Sequence, residues 1–117
     1  MRKQLSYIHN PGKIPLKALT IGKLLEQTVK THGDVPAIIS KYQNQSLSFS
    51  EALNQADTLA AGLRATGINA GDRVAILAPN SVEWYITLIA CARGGYILVS
   101  IRPKYTFYLI KFDLIYL

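Results

Sequence analysis

Seven carboxylates, two histidines and one cysteine are the side chains of this 117-residue chain that could hold a proton, a metal or an acyl group. The acids are Glu26, Asp34, Glu51, Asp57, Asp72, Glu83 and Asp113. General acid–base work needs two groups whose surroundings push their pKa values apart. Glu51 follows Ser48 by three residues and is claimed by a capping box, and Asp72 sits in a turn before a strand. No two of the remaining acids form an acid–base pair by spacing. His9 and His32 are too isolated for a metal site, which wants three or four ligands at short, characteristic intervals. His32 falls in the last turn of a helix, where the macrodipole favours positive charge. Cys91, flanked by Ala90 and Ala92 in a helical run, has no histidine near it in sequence and reads as a buried, inert thiol. No residue is therefore assigned a catalytic, cofactor-binding or metal-binding role.

Phosphate chemistry fares no better. Neither the GxGxxG fingerprint nor a P-loop occurs. The loop Ala78–Pro79–Asn80–Ser81 does lie between a strand and a helix start, where free amides and the dipole favour anions. Its proline at the second position and its lack of a glycine argue against close backbone approach by a phosphate. Two readings stay open, an anion site and a capped turn.

The elements that would position such groups centre on residues 71–103. Val74 to Leu77 is a short β-branched run of the kind buried on both faces of a parallel sheet. Ser81 caps a helix whose apolar positions are Val82, Tyr85, Ile86, Ile89 and Ala90. Gly94–Gly95 stops that helix, and Tyr96 to Ile101 begins a second strand. The order is βαβ, with a right-handed crossover.

Upstream, Thr20 caps a helix with an apolar face of Ile21, Leu24, Leu25 and Val29, ended by Gly33 and Pro36. Pro36 to Lys41 and Ser46 to Phe49 form a hairpin around Gln43–Asn44–Gln45. The helix after Ser48 buries Ala52, Leu53, Ala56, Leu59, Ala60 and Leu63, its alanines allowing close approach to a sheet. Gly67 ends it with a left-handed cap, and Ile68 folds back on the last turn. The fold class is α/β.

Half the residues are hydrophobic, so the chain can build a core. The net charge is +6. Arg2, Lys3, Lys13, Lys17, Lys23 and Lys30 face one acid, Glu26, within the first thirty residues. Residues 1–19 read as a basic, irregular leader able to touch an anionic surface, or as a solvated tail. Basic and aromatic residues do not interleave as nucleic-acid binding wants, so no nucleic-acid partner is expected. No secretory signal precedes Pro11, which points to an intracellular protein, cytoplasmic or mitochondrial. Arg93 and two glycines interrupt the apolar stretch from Tyr85 to Ile101, so no transmembrane segment is expected. After Pro103 the character changes to KYTFYLIKFDLIYL, an apolar end without turn or cap that packs on a partner or aggregates.

Three strings carry a family resemblance: Leu47–Leu53, Gly71–Trp84 (GDRVAILAPNSVEW) and Gly94–Pro103 (GGYILVSIRP). In their order and spacing they resemble the N-terminal part of AMP-forming acyl-CoA synthetases, the adenylate-forming superfamily, and most of all the fatty acyl-CoA ligases. TIGKLLEQTV followed by Pro36–Ile38 extends the likeness upstream, so that it covers about residues 5 to 106. The resemblance implies a partial N-terminal lobe of the adenylate-forming fold: a β-hairpin and a parallel βαβ unit with flanking helices. Residues 20–106 would be that partial domain and residues 107–117 a divergent apolar tail. It also implies a parent chemistry in which ATP and magnesium activate a fatty acid to an acyl-adenylate before coenzyme A takes the acyl group. The phosphate loop, the adenine and magnesium segment, the ribose-binding aspartate and the C-terminal lysine of that family have no counterpart here. None of its catalytic residues transfers, and no cofactor is expected in this stretch.

The expectation is a truncated ligase, from a retained intron or a broken gene model, without catalytic competence by itself and marginally stable alone. The alternative is a non-catalytic binding module that docks on a full-length homologue or an anionic membrane. A third, a small independent nucleotide-binding protein, would have to bind ATP or AMP.

Overall fold

In the computed structural model the described residues are 10 and 12–101. The expectations for His9, Asp113, the leader's first residues and the tail 107–117 lie outside them. Seven elements follow one another: α1 (Ile21–His32), β1 (Pro36–Ser40), β2 (Gln45–Ser48), α2 (Phe49–Ala65), β3 (Arg73–Leu77), α3 (Val82–Gly94) and β4 (Ile97–Ile101). The strands make two separate sheets, the antiparallel hairpin β1–β2 and the parallel pair β3–β4. The α/β class and the hairpin-plus-βαβ architecture are as the sequence predicts.

Helix starts follow the side chains the sequence singles out. Thr20 Oγ1 accepts from the Lys23 amide at 3.2 Å. Ser48 Oγ accepts from the Glu51 amide at 3.2 Å while Glu51 Oε2 accepts from the Ser48 amide at 2.8 Å, which completes the capping box. Ser48 is thus the last strand residue and the first cap at once, and Phe49, expected to close the strand, opens α2 instead. At the other end of α2, the Gly67 amide donates to Arg64 O and the Ile68 amide to Leu63 O. This pair of bonds is the Schellman arrangement, with Gly67 left-handed at φ 97°.

Three expectations need correction, while Gly33 ends α1 as expected and does so in a right-handed conformation, φ −52°. What the site uses is its size: a β-carbon there would stand 2.5 Å from Ser50 Oγ and 2.8 Å from Val29 O. The apolar face of α1 is narrower than its periodicity suggests. Gly22 and Leu25 are buried and Val29 packs on the core, whereas Ile21 and Leu24 are 63% and 51% exposed. The contact stripe passes through Gly22, whose missing β-carbon lets α1 approach Ala92 and Arg93 of α3.

The alanine face of α2 does not lie chiefly on a sheet. It packs mainly against α3, and Ala52, Ala56 and Ala60 share one core with Ile86, Ile89 and Ala90. Finally, the β3–β4 sheet is not buried on both faces. Val74 and Ile76 are buried, Ala75 and Leu77 only half so, and Ile97 and Val99 stay exposed. Parallel sheets normally carry helices on both faces; here α3 covers one.

The βαβ unit is closed by hydrogen bonds across its loops. Residues 73–77 pair in register with 97–101. The Gly71 amide donates to Gly95 O and the Ile97 amide to Asp72 O, both at 2.8 Å. Gly95, at φ 74°, is the left-handed residue that turns α3 toward β4. Tyr96 precedes the strand; its ring is buried and its hydroxyl donates to Ala60 O at 3.0 Å.

Candidate functional site

The hairpin turn and the β3–α3 loop meet in a cleft of about 540 Å³ lined by Tyr42, Gln43, Pro79, Asn80, Ser81 and Glu83. Asn44, at φ 51°, supplies the left-handed residue the turn requires, which brings Gln43 against the start of α3. There the Gln43 side-chain amide makes three hydrogen bonds. Its Oε1 accepts from the Val82 amide at 2.8 Å and from Ser40 Oγ at 3.0 Å. Its Nε2 donates to Glu83 Oε2 at 2.8 Å. Ser81 Oγ accepts from the Trp84 amide at 3.2 Å.

This geometry favours the capped-turn reading of residues 78–81. The Val82 and Trp84 amides already have partners, one from Ser81 as the sequence predicts and one from Gln43, 39 residues upstream. Glu83 adds a carboxylate beside them, held below the usual carboxylate range by its own backbone amide, then by Gln43 and Ser81. An anion arriving here would meet a negative charge and spent donors. The loop has the bonds of a capped turn, and among the described residues no lysine, arginine or histidine lines the cleft.

The remaining chemistry-bearing groups stand apart. Among the described residues no three of His, Cys, Asp and Glu come together in a way that would hold a metal ion. Cys91 is buried, and burial pushes its thiol pKa up, away from nucleophilic use. Asp72 Oδ2 accepts from the Asn69 amide at 2.7 Å, so the acid serves its turn.

The strongest polar constellation was not legible in the sequence. Arg93 donates to Asp57 through Nε and Nη2, at 2.6 and 2.9 Å, and through Nη1 to Glu26. These bonds, Asp57 first and Glu26 second, raise the guanidinium pKa above its already high value. The cluster joins α3 to α2 and α1. Both its acids are bound by one permanent cation, so the cluster clamps the helices together. Arg93 appears in the sequence only as a break in an apolar stretch. Nothing in local spacing connects it to partners 36 and 67 residues away.

The fold and the turn chemistry define an α/β segment, an antiparallel hairpin and a parallel βαβ pair held together by helices. A family model described as "AMP-binding enzyme" matches residues 25–112. The chain belongs to that AMP-binding enzyme family, as the strings at Leu47, Gly71 and Gly94 imply. It is 33% identical over 109 residues to a mitochondrial medium-chain acyl-CoA ligase ACSF2 of Danio rerio, covering 93% of this chain and 18% of that protein. Against the human protein of the same name it is 34% identical over 101 residues, 86% of this chain and 16% of the relative. The N-terminal domain of FACL13 from Mycobacterium tuberculosis superposes with a TM-score of 0.69 at 30% identity, over 73% of this chain and 21% of that one. The chain thus spans less than a fifth of the length of these curated relatives.

Proposed function

We propose that this chain is the opening part of the N-terminal lobe of a ligase that activates a medium-chain fatty acid to its acyl-CoA, and that it contributes framework rather than catalysis. The substrate class and a mitochondrial setting follow the names of the ACSF2 relatives. One observation carries the framework reading. At the cleft the Val82 and Trp84 amides at the start of α3 are taken up by Gln43 and Ser81, and Glu83 places an anion there.

Because the Val82 and Trp84 amides at the cleft are already bonded and Glu83 is an anion beside them, we assign no step of acyl activation to the described residues. What they supply is the βαβ pair and the helices that hold it, on which later strands of a lobe would build. ATP–pyrophosphate exchange on the purified 117-residue chain, with a medium-chain fatty acid and magnesium, tests this. The expected rate is that of the buffer. Exchange above that background, abolished by omitting the fatty acid, would overturn the framework reading.

A further inference from the structure

We infer that residues 13–24 form a docking surface for an anionic lipid bilayer. This goes beyond the ligase reading and does not depend on it. Four of the large apolar residues left in water fall within this short stretch: Ile14 at 82% exposure, Leu16 at 100%, Ile21 and Leu24. Lys13, Lys17 and Lys23 alternate with them and are exposed too. Apolar side chains among lysines, on a leader running into a helix, are what lies flat at a bilayer interface. The apolar groups enter the acyl boundary while the lysines meet lipid phosphates.

Charge decides the occupant. No acid occurs within residues 13–24 or before them; Glu26, two residues beyond, is bound by Arg93, which it shares with Asp57. The stretch is therefore uniformly positive where it is apolar. A neutral protein groove would accept Ile14 and Leu16 but gain nothing from three lysines. An anionic membrane uses both, at about 1 kcal/mol, or fivefold in partition, for each lysine near the surface.

Vesicle co-sedimentation of the full chain tests the assignment. The probes are phosphatidylcholine vesicles with and without about 30% phosphatidylglycerol, at about 0.1 and 0.5 M salt. Binding is expected to the anionic vesicles alone, and to weaken severalfold at the higher salt. The variant Lys13→Gln/Lys17→Gln/Lys23→Gln should lose roughly 100-fold in partition. Ile14→Ser/Leu16→Ser should also lose binding; both positions lie outside the helices, and an unchanged circular dichroism spectrum excludes misfolding. Equal binding to neutral vesicles, or no vesicle binding, overturns the inference. So does binding that survives both variants, which would place the contact in residues 102–117. Capture by a full-length ligase that both variants abolish, with vesicles ignored, would assign the stretch to a protein partner instead and equally overturn it.

Discussion

Arg93 grips Asp57 with two parallel hydrogen bonds, Nε to Oδ1 at 2.6 Å and Nη2 to Oδ2 at 2.9 Å. A planar guanidinium fits a carboxylate in this way and a lysine cannot. Arg93→Met should therefore loosen all three helices at once. Asp57 and Glu26 are nearly half exposed, at 44% and 45%, so water screens them after the loss. That sets the expected cost at about 1 kcal/mol rather than several. Urea unfolding should show a lower midpoint at unchanged slope, with Arg93→Lys recovering less than half of the difference.

Gln43 caps a helix to which it does not belong. Replacing it with alanine leaves the Val82 amide without its acceptor and Glu83 without one of its donors. The expected loss is about 1 kcal/mol, the ordinary value for removing a helix cap. Amide hydrogen exchange should quicken at Val82 and through the hairpin turn. A double-mutant cycle with Glu83→Ala should return a coupling of roughly 0.5 kcal/mol, and a coupling of zero would dismiss the contact.

The capping box gives α2 an acid limb. Glu51 is held below the usual carboxylate range, first by the Ser48 backbone amide and then by the Ser48 side chain. A carboxylate with a depressed folded pKa stabilises above its unfolded value, and that contribution is lost as pH falls through the folded one. The stability gap between the native chain and Glu51→Gln should be widest at neutral pH and close in acid, below the folded pKa. Denaturation midpoints across that range, read beside the carboxyl titration of Glu51 by NMR, check the sign.

What the sequence makes legible is local. Ser48 with Glu51, Ser81 ahead of Val82, and Gly67 followed by Ile68 each state their role within a few residues, and each plays that role. The misreadings concern what an element packs against. The alanines of α2 announce a close neighbour but not whether it is a strand or α3. Likewise, the β-branched run 74–77 announces a buried strand, while the second covering layer is not among the described residues. Locally Gln43 shows only as turn composition, because its value lies in reaching a helix 39 residues later. The family was legible from strings whose order carries more information than any one of them.

Glu26, Asp57 and Arg93 also have an order in time. A ribosome makes the two acids first and adds the cation that joins them 36 residues after Asp57. At usual synthesis speeds that interval is roughly 2–7 s. For that long α1 and α2 exist as polymer with their charges unanswered and the alanine face of α2 without α3. The first two helices of the nascent chain should remain open to chaperones and proteases until Arg93 emerges, and a translational pause before codon 93 should prolong that exposure.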